Sequence, residues 1–157
     1  NTTSIELTKG GKTRSESVKN ALNNSKIKAK YVFIHDAARV LNSDTLLLKL
    51  INHANKNIYD CIIPYAKCND TVVQNHKNIK REDLKLIKTP QVFLKKKIIL
   101  LLNKSNSLEF TDDSKLMRDN PKEFKIKYIL DNSLNLKITH KEDLEQLNIN
   151  FKRNIRV

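Results

Sequence analysis

Short apolar runs rich in β-branched and aromatic residues alternate along this chain with longer stretches whose apolar residues recur at helical spacing. A chain so patterned buries both kinds of element by laying helices over a sheet. Tyr31–Val32–Phe33–Ile34 is the clearest run, and its lack of polar alternation predicts a strand buried on both faces, stopping at His35–Asp36. Ile5–Glu6–Leu7–Thr8 predicts an earlier strand ending at Gly10–Gly11, the only two glycines present. Cys61–Ile62–Ile63–Pro64 predicts another buried strand closed by its proline. Further strands are expected over Leu84–Lys88, Phe124–Leu130 and Leu134–Ile138. Helices are expected over Ser15–Asn23, then after Ser43 with Leu46, Leu47, Leu50, Ile51 and Ala54 on one face. A third should run from Leu94 to Asn103 with Leu94, Ile98, Leu101 and Leu102 inward. Thr111 should cap a turn carrying Asp112 and Asp113, which suit the positive end of a helix dipole. Thr139–His140–Lys141–Glu142 reads as a capping box opening a last helix with Leu144 and Leu147. Residues 70–83 break the pattern: apolar Thr71–Val72–Val73 and a run near Ile79 flank a polar stretch, which predicts a two-stranded β-arm leaving the domain. The order implies one α/β domain, a mostly parallel sheet flanked by helices.

A length of 157 residues suits one domain. No apolar run approaches the ~18–20 residues of a membrane-spanning helix, and no apolar leader opens the chain. The formal charge is +13, from 30 Lys and Arg against 17 Asp and Glu. Only Lys95–Lys96–Lys97 forms a tight run, and aromatic residues are 6% with none interleaved among cations. That distribution argues against a nucleic-acid partner. A small phosphorylated substrate would profit from the same field. Cys61 and Cys68 fit neither a disulfide framework nor paired zinc ligands and read as free thiols. His53, His76 and His140 have no metal-ligand spacing, and neither a Ser/His/Asp set nor a P-loop can be assembled.

In an open parallel sheet, ligands bind beyond the carboxyl ends of the strands. Asp36, Thr89 and Lys137 are the polar groups expected there. A carboxylate after a fully apolar strand must find a cation or a cleft, because burying it unpaired is costly. Arg39, three residues on, could satisfy it. Lys137, between Leu136 and Ile138, is either an edge-strand lysine or one reaching an anion. Gly10–Gly11 is either a plain turn or a place where backbone approaches a ligand, with Ser17 on the following helix. His35 reads as a core-edge imidazole bonded to backbone.

Gly10–Gly11–Lys12–Thr13–Arg14–Ser15–Glu16–Ser17–Val18, followed by Val32–Phe33–Ile34–His35–Asp36–Ala37–Ala38–Arg39, resembles the 2-C-methyl-D-erythritol 4-phosphate cytidylyltransferase family. Asn69–Asp70–Thr71, Lys88–Thr89–Pro90–Gln91, Phe110–Thr111–Asp112–Asp113–Ser114 and Leu136–Lys137–Ile138–Thr139 follow in that family's order. The resemblance implies a Rossmann-like nucleotidyltransferase fold with a protruding β-arm for dimerisation. It implies cytidylyl transfer from CTP to methylerythritol phosphate, releasing pyrophosphate, in non-mevalonate isoprenoid biosynthesis. Asp36 and Lys137 would be catalytic, and Ala37, Arg39 and Thr89 would bind the sugar-alcohol phosphate. Thr71 and Arg81, on the arm, would reach the phosphate in the partner subunit of a homodimer. Gly11 and Ser17 would recognise cytosine, and Mg²⁺ would be held mainly by the CTP phosphates, with no metal ligand in the chain. A related cytidylyltransferase for ribitol 5-phosphate is the neighbouring reading, against which Ala37–Ala38 speaks; a non-catalytic basic nucleic-acid-binding module is the other.

Two positions depart from the pattern: Lys12 stands where Asp is usual, and Val40 where Pro is usual. The family also opens with a Gly-rich triphosphate loop carrying an Arg and a later Lys. The expectation is therefore that residues 1–157 are the C-terminal two-thirds of one cytidylyltransferase domain, working with an N-terminal part that holds CTP. Lys and Asn make 43 of the 157 residues, a bias similar to that of AT-rich parasites. By that analogy the protein would work in an apicoplast, and otherwise in the cytoplasm.

Overall fold

A computed structural model describes residues 5–26, 28–41, 43–105 and 109–154. Helix α1 (Arg14–Asn24) starts where Thr13 Oγ1 accepts the Glu16 N–H, an ordinary N-cap. Strand β1 (Tyr31–Ile34), helix α2 (Asp44–Asn55) and strand β2 (Cys61–Lys67) follow. The arm is a two-stranded sheet of its own, β3 (Val72–Gln74) against β4 (Lys77–Ile79). Asn75 and His76 both take positive φ between them (51° and 63°), which is the geometry of a tight primed hairpin turn. Then come β5 (Lys85–Ile87), β6 (Gln91–Leu94), α3 (Lys95–Lys104), α4 (Lys115–Arg118), β7 (Ile126–Leu130) and α5 (Lys141–Asn154). Among the described residues no helix is long and apolar enough to cross a membrane.

The main sheet is mixed. Strand β6 lies antiparallel between β1 and β2, β5 pairs antiparallel with the far half of β2, and β7 pairs parallel with β2. Strands β1, β2 and β7 therefore run one way, as the sequence suggests, while β5 and β6 run against them. Only Lys88, Thr89 and Pro90 separate β5 from β6, so the two are successive pieces of one line, with no room for a helical crossover. The sheet is correspondingly less parallel than expected. Strand β6 itself goes unannounced in the sequence: Leu94 is both its last residue and the residue before α3, so helical periodicity absorbs it.

The cores explain the order of burial. On one face Ile34, Cys61, Ile63, Phe93, Ile98, Leu102 and Met117 pack together; on the other, Leu46, Leu50, Ala54, Ile62, Val92 and Ile129. Successive residues of β2 and β6 thus serve opposite faces, as strand geometry requires. The strands buried on both faces are these two. Strand β1 pairs only with β6 among the described residues and leaves Phe33 41% exposed, so its expected double burial is not met.

Pro64 does not end its strand but sits inside β2. Its carbonyl accepts the Lys88 N–H on the side where β6 pairing gives way to β5 pairing, so its missing donor falls in the break of the ladder. Ile5–Thr8 forms no strand: Ile5 and Leu7 stay 86% and 96% exposed. Leu134–Ile138 is no strand either, because the residue turned inward is the polar Asn135 while Leu134 faces out. On α2 the buried residues are Leu46, Leu50 and Ala54; Ile51 lies 42% exposed. At α5 the carboxylate that reaches back to the Thr139 and His140 N–H groups belongs to Asp143, not Glu142. Before α4 the N-cap residue is Ser114, whose N–H donates to Asp112, while Thr111 is exposed.

Candidate active site

Strand β1 ends at the edge where β6 begins, so His35–Asp36 and Thr89–Gln91 meet there. The Asp36 N–H donates to Thr89 Oγ1 at 3.0 Å. The Thr89 hydroxyl donates in turn to His35 Nδ1 (2.9 Å), and His35 Nε2 donates to the Arg39 carbonyl (2.9 Å). A carbonyl can only accept, so a neutral ring carries its proton on Nε2 and leaves Nδ1 as acceptor. His35 is thus the backbone-bonded imidazole that the sequence suggests. The Arg39 N–H closes the turn onto the Asp36 carbonyl, with Ala37 and Ala38 between them.

Three cations face the Asp36 carboxylate. Lys137 Nζ lies 3.4 Å and Arg39 Nε 3.6 Å from Oδ2, and Arg14 Nη2 lies 3.4 Å from Oδ1. Asp36 keeps 14% side-chain exposure while Lys137 keeps 45% and Arg14 34%, so the cluster opens to solvent through its cations. Burial pushes the Asp36 carboxyl up, but Lys137, Arg14 and Arg39 together outweigh it and hold the group below the usual carboxylate range.

The segment after β7 closes one side. Asn135 Nδ2 donates to the Thr89 carbonyl (2.8 Å) and to Asp131 Oδ2 (3.1 Å), the Asn135 carbonyl accepts from Arg39 Nη1 (2.9 Å), and the Ile138 N–H donates to the Ala38 carbonyl (2.9 Å). Lys88 Nζ stands 3.7 Å from Asp131. Lys137 is brought to Asp36 by this path rather than by a strand. On the other side Arg14 Nη1 donates to the fully buried Asp113 at 2.7 Å. Next to it Asp112 accepts from Gln91 Nε2 (2.7 Å) and pairs with Arg118. Burial drives the Asp113 carboxyl above its usual range; Arg14 opposes the rise and Asp112 adds to it. Among the described residues, the buried side-chain polar atoms without a hydrogen-bond partner are Arg39 Nε, Asp113 Oδ1 and Asn135 Oδ1. All three belong to this network, and unsatisfied buried groups concentrate where a molecule is meant to bind or react.

Asp36, Ala37, Arg39, Thr89 and Lys137 therefore lie together at this edge. Gly11 and Ser17 form a neighbouring turn: the Gly11 N–H donates to Ser17 Oγ (2.9 Å), which donates to the Thr13 carbonyl (3.0 Å). A Cβ on Gly11 would lie 2.3 Å from Glu16 Cγ. Glycine is required there by the stem of Glu16, whose carboxylate accepts the Lys12 N–H. Thr71 and Arg81 make no contact with the Asp36 cluster: Arg81 donates to the Asn69 carbonyl (3.0 Å) and lies beside Glu82. Arg14, Asp113, Asp131 and Asn135 are site residues that sequence reasoning did not single out. One signal was present for Arg14. In a chain with 24 Lys and 6 Arg, an arginine marks a place where a planar fork is needed, and Arg14, Arg39 and Arg118 all belong to this network.

A helix-flanked mixed sheet with cations gathered at one strand edge is the architecture of an α/β nucleotidyltransferase. The family model described as IspD: 2-C-methyl-D-erythritol 4-phosphate cytidylyltransferase matches residues 1–153, and the chain belongs to that family. A bifunctional enzyme IspD/IspF from Pelagibacter ubique is 45% identical over 154 residues, covering 95% of this chain and 40% of the relative. The structure of the bifunctional IspDF from Campylobacter jejuni aligns with TM-score 0.75 at 39% identity, over 87% of this chain and 35% of that one. The 4-diphosphocytidyl-2C-methyl-D-erythritol synthase from Anaerococcus prevotii aligns with TM-score 0.79 at 30% identity, over 91% of this chain and 68% of that one. The chain thus spans well under half the length of the bifunctional relatives.

Proposed function

We propose that the protein carrying this chain transfers a cytidylyl group from CTP to 2-C-methyl-D-erythritol 4-phosphate. The observation that supports this most directly is the convergence of Arg14, Arg39 and Lys137 on the single carboxylate of Asp36. Asp36 and Asp113 together set two carboxylates against these three cations, so the cluster retains positive charge for a phosphate, while Asp36 offers acceptors to polyol hydroxyls. In the reaction an oxygen of the methylerythritol phosphate bonds to the α-phosphorus of CTP, and the bond from that phosphorus to the β-phosphate oxygen breaks, releasing pyrophosphate. Negative charge stays on phosphoryl oxygens throughout, so fixed cations and positioning supply the acceleration. Lys137 stabilises that charge, Arg39 and Asp36 orient the acceptor, and Thr89 holds the Asp36 backbone.

Mg²⁺ belongs to this reading as a companion of the CTP phosphates, whose charge it neutralises when bound. Among the described residues no three His, Cys, Asp or Glu side chains gather as a ligand set. Thr71 and Arg81 serve the phosphate site of a second copy through the arm. The test is cytidylyl transfer by the intact protein, with pyrophosphate release measured on CTP and methylerythritol phosphate and ribitol 5-phosphate as the competing acceptor. Asp36→Ala should lower turnover on the order of a hundredfold or more. Preference for ribitol 5-phosphate, or near-normal turnover of the variant, overturns the assignment.

A further inference from the structure

We infer that Arg14 is a positioning residue for Asp36, anchored by Asp113, so that the turn opening α1 and the strand edge carrying Asp36 are held as one unit. The inference rests on the proposed function for what the pocket does, but its geometry stands alone. Arg14 is the first residue of α1, Asp113 precedes α4, and Asp36 follows β1. A single guanidinium ties the three elements: Nη1 to Asp113 at 2.7 Å and Nη2 to Asp36 at 3.4 Å.

The two legs differ in kind. Asp113 is fully buried, and its Oδ1 has no partner among the described residues, so Arg14 is the cation that compensates this carboxylate. Removing the guanidinium would leave a buried carboxyl unpaired, which is a strong reason for Arg14 to stay in place. The Asp36 leg is longer and more exposed. Because Lys137 and Arg39 both pull on Oδ2, Arg14 is the cation that faces Oδ1. Without it the carboxylate is drawn wholly toward Lys137 and Arg39 and turns from the orientation in which both oxygens are held. A lysine does not reproduce the fork, since a single compact ammonium lacks the two fixed, divergent donors with which Nη1 and Nη2 hold the two carboxylates apart. Three residues along from Arg14, Ser17 caps the Gly11 turn, so a shift of Arg14 reaches that turn as well.

The experiment compares wild type, Arg14→Lys, Arg14→Gln and Asp113→Asn in the intact protein, with two readouts. The first, without substrates, follows the Asp36 carboxyl by ¹³C chemical shift against pH, assigned by its loss in Asp36→Asn. Its midpoint should rise in Arg14→Gln, which takes a cation away from the carboxyl, and fall in Asp113→Asn, which removes a neighbouring negative charge and leaves Arg14 to Asp36 alone. The second is steady-state kinetics. Arg14→Lys should lose turnover on the order of ten- to a hundredfold, with KM for CTP nearly unchanged, and added guanidinium should restore part of the turnover of Arg14→Gln. If Arg14→Gln does not fold, Asp113→Asn, which keeps the arginine and loosens its anchor, carries the test. An unchanged Asp36 midpoint together with turnover within twofold of wild type per folded molecule reduces Arg14 to a structural ion pair and overturns the inference. Should wild type transfer no cytidylyl group, the proposed function falls, and the carboxyl titration still decides the role of Arg14.

Discussion

The side-chain amide of Asn135 donates to the Thr89 carbonyl at 2.8 Å across 46 residues of sequence. That bond seats the segment after β7 against the start of β6 and carries Lys137 to Asp36. Asn135→Ala should leave the Thr89 carbonyl and one Asp131 oxygen without this donor, at a cost of about 1–3 kcal/mol. Urea unfolding would measure it. A change within experimental error would mean that water or a neighbour takes over the amide's bonds.

Lys137 is the most exposed cation of the Asp36 cluster, so its loss should separate chemistry from folding. Lys137→Met should change stability by less than about 1 kcal/mol, as expected for a pair this open to solvent. Turnover should fall on the order of a hundredfold. Comparing kcat with the urea midpoint of the same sample checks both halves, and parallel loss of the two would show a structural role only.

Acid should weaken the fold. Burial raises Asp36, Asp112 and Asp131, but their partners (chiefly Lys137, Ser114 and Ser133) outweigh it, and all three end below the usual carboxylate range. Each binds fewer protons folded than unfolded, so its stabilisation is present above the unfolded value and lost as pH falls through the folded one. Asp113 runs the other way: burial raises it, so its contribution is present at low pH and is lost as pH rises through its folded value. With three groups against one, urea midpoints should drop on acidification from about pH 6 to pH 3. Asp112→Asn should lower the neutral midpoint and flatten that slope. A midpoint that climbs on acidification would reverse the assignment.

The arm can be tested by complementation. Arg81→Ala and Asp36→Ala should each be nearly inactive alone. If arms serve neighbouring copies, half the molecules in an equal mixture pair unlike chains and hold one intact site of two. Activity should then return to about a quarter of wild type. No recovery after subunit exchange would confine Arg81 to its own chain.

Gly11→Ala should force the Glu16 stem away and destabilise the start of α1 by about 1–3 kcal/mol. Glu16→Ala in the same chain should recover most of that loss. Additive losses in the double variant would place the strain elsewhere.

Much of the fold is legible in residue patterns. Val18 and Leu22 mark α1, Leu46, Leu50 and Ala54 mark α2, and the Cys61–Ile63 run marks β2, because each presents an apolar face of one period. The arm shows in the polar break around Asn75–His76. Strand β6 does not, since four residues running straight into a helix leave no punctuation between the two periods. Leu134, Leu136 and Ile138 mislead for the opposite reason: their alternation copies a strand, while hydrogen bonds from Asn135 turn the opposite side inward. Of the pocket, Asp36, Thr89 and Lys137 are readable because a polar group at the end of an apolar run needs explaining. Asn135, Asp113 and Asp131 are not, since what makes them matter is contact with residues far along the chain. Sheet direction is the other illegible feature, as the chain reverses between β2 and β5 by way of the arm, with no α-helix there to mark the change.

That reversed strand has a mechanical consequence. Since β6 is hydrogen-bonded to both β1 and β2, the backbone beneath Asp36 is braced by strand pairing on both sides. Whatever accommodation differently sized ligands require must come from the exposed side chain of Lys137 and the irregular stretch that delivers it. If the proposed transfer is what the protein does, selectivity among acceptors follows from a braced base and a movable lysine above it.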